Sequence, residues 1–147
     1  MLNNVCVVLR INIVNMNDFK KDIILSAVKA HKALIVEDDL DICYLVSGIL
    51  KQKNLDYNYV NSLSDAVKYL SNNTTDILIL DNHLPDGLGV DFITYIKKNY
   101  PEIHIIMITA HDTQPDRINA LDKGADFFLG KPFTRAAMNA TLDNFIH

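Results

Sequence analysis

Four apolar runs of strand length, each ending at polar residues, constrain this chain more than any other feature. Ala33-Leu34-Ile35-Val36 stops at Glu37-Asp38-Asp39, and Ile77-Leu78-Ile79-Leu80 stops at Asp81. Ile105-Ile106-Met107-Ile108 stops at Thr109, and Phe127-Phe128-Leu129 leads to Lys131-Pro132. Runs this short and this uniformly apolar fit strands covered on both faces. Between them the apolar residues recur at helical spacing, so strand and helix alternate. That pattern gives an α/β fold, a parallel sheet with helices on both sides. The polar ends of parallel strands lie along one sheet edge, where they bring together carboxylates, a hydroxyl and an ammonium.

The first strand spans about residues 32–37. It leads into a helix with Ile42, Leu45, Val46, Ile49 and Leu50 at i, i+3, i+4, i+7 spacing, and Asp39 is placed to cap that helix or to serve a metal. Residues 55–60 read as a second strand at an edge, with polar residues interleaved. Ser62 or Ser64 opens a helix with Ala66, Val67 and Leu70 inward, ended by Asn72-Asn73. The third strand, residues 76–80, delivers Asp81, and the turn-rich Leu84-Pro85-Asp86-Gly87-Leu88-Gly89 follows. A helix burying Phe92, Ile93 and Ile96 stops before Pro101, and residues 103–108 form a central strand. Residues 112–123 read as a weakly apolar helix that buries Ile118 and Leu121 and stops at Gly124. A strand at 125–129 and a helix at 134–146 complete five strand–helix units, a doubly wound (βα)5 arrangement.

A chain of 147 residues fits one domain with a real core. The net charge of −4 argues against a nucleic-acid surface. Residues 1–32 hold five basic and two acidic residues, so the acid excess belongs to the remainder and suits metal and basic partners. Cys6 and Cys43 lie far apart without metal-ligand spacing, which fits a reduced, cytoplasmic compartment, with Cys43 a small buried hydrophobe. Val5 to Val14, interrupted by Arg10 and Asn12, is too short to span a membrane and lacks the flanks of a secretory signal. Residues 1–32 stand outside the alternation as an N-terminal extension. There Val5 to Val14 can form a strand and Asp18 to Lys32 an amphipathic helix capped by Asn17, or Met16 is the start; the sequence leaves these open.

In an open α/β sheet the site lies outside the carboxyl ends of the strands. Clustered carboxylates there need a cation, and hard oxygen ligands with room for water suit Mg²⁺. An Asp beside such an ion and a Lys stays ionised and can attack a phosphoryl group, giving an aspartyl phosphate. The Lys neutralises phosphoryl oxygens while the Thr hydroxyl and loop amides donate hydrogen bonds. No Gly-x-x-x-x-Gly-Lys-Ser/Thr occurs, which excludes a P-loop nucleotide hydrolase.

From about Lys32 onward the chain resembles the receiver domain of two-component response regulators. The resemblance rests on Leu34-Ile35-Val36-Glu37-Asp38-Asp39, Ile79-Leu80-Asp81 with Leu84-Pro85 and Gly89, Met107-Ile108-Thr109-Ala110, and Gly124-Ala125-Asp126-Phe127-Phe128-Leu129-Gly130-Lys131-Pro132-Phe133. It implies a flavodoxin-like sheet of order 2-1-3-4-5 over residues 33–147. By the resemblance Asp81 is the phosphoacceptor, Asp38 a direct Mg²⁺ ligand and Glu37 a ligand through water. His83 lends its backbone carbonyl to the metal, Thr109 turns to the phosphoryl group and Lys131 pairs with it after a cis Lys-Pro bond. Phe128 takes the place of the aromatic switch without a tyrosine hydroxyl. The adjacent Phe127, at a position commonly polar in the family, is read as a partner surface or as core packing against the extension. His83 and His111 sit where family members tune phosphoryl lifetime, and a soft-metal site between them is the minor alternative.

The resemblance also implies a phosphohistidine donor, on a sensor histidine kinase or histidine-phosphotransfer protein, and repacking of the helix 4–strand 5–helix 5 face toward a downstream partner. The expectation is a single-domain receiver with no direct nucleic-acid or membrane contact, catalysing only its own phosphorylation and dephosphorylation. A relay intermediate and a phosphorylation-independent binding module are the alternatives.

Overall fold

The computed structural model describes residues 30–146. The strand and helix read for the N-terminal extension, and the question of Met16, fall outside those residues apart from 30–32. Five strands alternate with five helices: β1 (Lys32–Val36), α1 (Leu40–Gln52), β2 (Asp56–Val60), α2 (Leu63–Asn72), β3 (Ile77–Asp81), α3 (Gly89–Asn99), β4 (His104–Thr109), α4 (Gln114–Asp122), β5 (Phe127–Gly130) and α5 (Arg135–Asp143). A two-residue ladder, His83–Leu84 against Gly87–Leu88, folds the loop after β3 back on itself. All pairings of the main sheet are parallel and its order is β2-β1-β3-β4-β5, the flavodoxin-like order expected.

The alternation of side chains along each strand divides the core into two layers. Leu34, Val36, Leu78, Leu80, Ile105 and Met107 pack with Ala66 and Leu70 of α2, Phe92, Ile93 and Ile96 of α3, and Ala120 of α4. Ala33, Ile35, Ile77, Ile79, Ile106 and Ile108 pack on the other face with Cys43, Val46, Ile49 and Leu50 of α1 and Met138 and Leu142 of α5. Burial on both faces is why β1, β3 and β4 are apolar over residues 33–36, 77–80 and 105–108, each large side chain contributing roughly 1.5–3 kcal/mol. At the sheet edge β2 keeps Asp56, Asn58 and Tyr59 exposed.

Caps settle the helix starts. Asp39 Oδ1 accepts from the backbone N–H of Asp41 and of Ile42, so its role is to cap α1. Ser62, rather than Ser64, caps α2 by accepting from Asp65 N. Thr113 caps α4 by accepting from Asp116 N, which leaves Asp112 in the preceding loop and starts the helix later than expected. Ile118 and Leu121 are 51 % and 46 % exposed, against the expectation that α4 buries them. Ala120 is the inward residue, and at ~100° per residue neither Ile118 nor Leu121 shares its face. The last helix ends at Asp143, short of Ile146, and Phe145 turns back over the sheet.

The two adjacent phenylalanines separate as a strand requires. Phe128 is buried in the layer with α2, α3 and α4, while half-buried Phe127 lies edge-on to Phe145, a contact neither reading of that residue anticipated.

Gly89 fixes the loop beneath the end of β3. A Cβ there would sit 2.1 Å from the Asp81 carbonyl oxygen and 3.1 Å from Leu80 Cγ. Gly89→Ala is expected to destabilise the fold by about 1–3 kcal/mol, read as a lower urea midpoint with an unchanged m-value.

Candidate functional site

The carboxyl ends of β1, β3, β4 and β5 converge because those strands are consecutive neighbours in the sheet. Glu37, Asp38, Asp39, Asp81, His83, Ala110, His111 and Lys131 line one open cavity there, of about 460 Å³. Lys131 Nζ is the hub. It lies 2.6 Å from Glu37 Oε2 and 3.0 Å from Asp81 Oδ1, with 17 % of its side chain exposed. The other Asp81 oxygen, Oδ2, accepts from the His83 backbone N–H at 3.0 Å, and the other Glu37 oxygen accepts from Asp39 N at 3.1 Å. Thr109 is buried at the end of β4, and its Oγ1 accepts from His111 N at 3.1 Å. The Lys131–Pro132 peptide is cis, as the resemblance implied.

Electrostatics follow from burial. Glu37 is 1 % exposed, and desolvation raises its carboxyl above the ordinary value, against the lowering effect of Lys131 and Asp39 N. Burial alone would lower the Lys131 ammonium, but its hydrogen bonds and charge contacts with Glu37 and Asp81 outweigh that and raise it. Cys43, beneath the pocket, donates from Sγ to the Glu37 carbonyl at 3.4 Å, and burial pushes its thiol up to about 11. It is the inert, buried group expected.

Glu37, Asp38 and Asp81 each offer a carboxylate oxygen, and the three atoms lie within 4.8 Å of one another. Two of them are buried with one ammonium between them, leaving a surplus of negative charge beside exposed Asp38. An all-oxygen donor set open to water fits a hard divalent cation.

The structure thus brings together Glu37, Asp38, Asp81, His83, His111 and Lys131, with Thr109 at the next strand end. Phe128 lies behind Thr109. Both line a small cavity of about 20 Å³ with Asn82, Met107, Asn119 and Ala120. Three contributors escaped sequence reasoning. Asn82 accepts from Val90 N through Oδ1 and from Gly89 N through its carbonyl, capping α3, where Leu88 has no side chain for the task. Asp86 accepts from Leu63 N and Ser64 N, tying the loop to the start of α2. Arg117 makes a two-bond pair with Asp112 and stands 5.1 Å above the Phe128 ring. An Asx two residues from a turn signals the first; nothing local signals the other two.

The family model for the response regulator receiver domain matches residues 33–143. The chain is 32 % identical over 112 residues to the luminescence regulatory protein LuxO of Vibrio campbellii, covering 76 % of this chain and 25 % of that protein. It is 38 % identical over 101 residues to the response regulator protein PilR of Pseudomonas aeruginosa, covering 69 % and 23 %. Among solved structures, the signal receiver domain of a LuxO repressor protein from Vibrio parahaemolyticus superposes with a TM-score of 0.75 at 27 % identity, over 80 % of this chain and 90 % of that one. The chain therefore spans about a quarter of the length of these curated relatives. Among the described residues no helix is long and apolar enough to cross a membrane.

Proposed function

From its membership of the response regulator receiver family, in two-component signalling, we propose that this chain accepts a phosphoryl group on Asp81 from a phosphohistidine of a sensor histidine kinase or histidine-phosphotransfer protein. The observation that carries the reading is the double hold on Asp81. One oxygen faces Lys131 and the other accepts from a backbone amide, at a pocket that also holds Asp38. In the transfer an Asp81 oxygen bonds to phosphorus as the phosphorus–nitrogen bond breaks, and the imidazole leaves with that electron pair and takes up a proton. Lys131 balances charge on the phosphoryl oxygens, the His83 N–H shifts from Asp81 Oδ2 to donate to one of them, and the Thr109 hydroxyl turns from its present contact to donate to another. Mg²⁺, held by Asp38 and Asp81 with the His83 carbonyl and with Glu37 acting through water, would neutralise developing negative charge. Turning of Thr109 changes the cavity behind it, and Phe128 follows. The output then reaches a protein partner through the α4–β5–α5 face, where Ile118 and Leu121 are exposed. The chain's own catalysis extends no further than its phosphorylation and dephosphorylation, and the reading assigns residues 33–147 no contact with nucleic acid.

Borohydride reduction of the phosphorylated protein followed by peptide mapping tests the assignment. Modification is expected at residue 81; a map to Asp38 or Asp39 overturns it.

Two further results are expected. Saturating Mg²⁺ raises the thermal midpoint, by about 2.7 kcal/mol of stability at roughly 100 times its Kd, and Asp38→Ala removes the response. A response that survives this change would place the ion elsewhere. His83 and His111 flank the reacting oxygen and limit the approach of the hydrolytic water, so His83→Ala and His111→Ala shorten the aspartyl-phosphate lifetime. Lifetimes equal to that of the unaltered protein would remove both residues from this role.

A further inference from the structure

We propose that His83 and His111 form a second metal site at this pocket, for a borderline-soft divalent ion such as Zn²⁺, and that its occupancy closes Asp81 to phosphorylation. The two residues come from separate loops, two positions after Asp81 and two after Thr109. Pairing of β3 with β4, with Asp81 opposite Ile108, brings those loops side by side. The imidazole centroids are 4.9 Å apart and the ring planes are tilted by 50°.

That spacing is what one ion requires. With zinc–nitrogen bonds of about 2.0–2.1 Å and a near-tetrahedral angle, two imidazoles sharing a zinc hold their centroids roughly 5 Å apart. Both side chains are exposed. Their hydrogen bonds are made by the backbone N–H groups, so the rings have no hydrogen-bond or ion-pair partner among the described residues. Nothing in the fold therefore fixes their ring nitrogens away from a shared ligand.

Donor chemistry separates this site from the acidic one. Three carboxylates suit a hard ion that keeps its waters, whereas paired imidazoles favour zinc and its neighbours in the affinity order. Both donor sets line the same cavity. An ion bound by the histidines, with water completing its coordination, occupies the route by which a phosphoryl donor reaches Asp81. The closure rests on Asp81 being the phosphoacceptor; the binding itself does not.

The test is a Zn²⁺ titration of the full chain against a colorimetric chelator in excess Mg²⁺, paired with adduct formation from a small phosphodonor. One equivalent of Zn²⁺ is expected to bind. That equivalent is lost in His83→Ala and in His111→Ala and kept in His31→Ala, His104→Ala and Asp81→Asn. One equivalent of Zn²⁺ is also expected to block the adduct in the unaltered protein and not in His111→Ala. Retention of the equivalent by both pocket-histidine variants overturns the site, as does its loss only in Asp38→Asn or Asp81→Asn, which assigns the ion to the carboxylates. Zinc bound as expected with adduct formation unhindered overturns the closure. If no adduct forms even without zinc, the phosphoacceptor reading fails while the stoichiometry still decides the metal site.

Discussion

Replacing Lys131 with Met is expected to cost the fold about 3 kcal/mol near neutral pH, the lower end of the range for removing one partner of a buried ion pair. The side chain touches Glu37 at 2.6 Å and Asp81 at 3.0 Å, and those carboxylates are 1 % and 4 % exposed. Without the ammonium they face each other with no compensating charge. The loss takes a particular form with pH. The Glu37 carboxyl is already raised in the folded protein by burial, so the folded state holds its proton more tightly than the unfolded state. Its contribution is present below the ordinary value of 4.5 and is lost as pH rises through the raised folded value. Removing Lys131 takes away an influence that lowers that pKa and widens the window. The variant should therefore recover much of its deficit as pH falls toward 4.5. In the unaltered protein Lys131 adds a second limb. Its pKa is raised, so its contribution is present below 10.5 and is lost as pH climbs through the higher folded value. Urea midpoints of both proteins across pH check this. A variant as stable as the unaltered protein at neutral pH, or one whose deficit grows on acidification, would contradict it.

Asp81→Asn is expected to act in opposite directions on function and stability. It removes the carboxylate held by Lys131 on one oxygen and by the His83 amide on the other, so the phosphoryl adduct disappears. It also removes one of two buried negative charges that share a single ammonium, and without Mg²⁺ the fold should gain about 1 kcal/mol. Asn keeps one oxygen to accept from His83 N, so the loop need not move. A destabilised Asp81→Asn protein in metal-free buffer would show that the Lys131–Asp81 contact outweighs the repulsion between Asp81 and Glu37.

The strands are legible because the interiors of β1, β3 and β4 are buried on both sides and hold only apolar residues, so their polar ends stand out as breaks. Those breaks are the site. Glu37, Asp81, Thr109 and Lys131 could be named from their positions after apolar runs, and parallel pairing makes such positions meet. What the sequence conceals is contact between loops. The approach of His83 to His111 depends on the register of β3 against β4, and Asp86 reaches α2 from a turn more than twenty residues away. The α4 helix hides its packing for a different reason. A helix that packs through one alanine has no apolar stripe to reveal its inward face, and its two large apolar residues point the expectation toward a core they do not enter. Arg117 above Phe128 was equally hidden, since a cation over a ring leaves no periodic trace.

The central claim, that Asp81 is a phosphoryl acceptor dependent on a divalent cation, is tested most directly by intact-mass measurement after incubation with a small phosphodonor, with and without Mg²⁺. The account predicts the added mass of one phosphoryl group in Mg²⁺, its absence in chelator, and its absence in Asp81→Asn under both conditions. An adduct that forms without Mg²⁺, or one that survives Asp81→Asn, would contradict it.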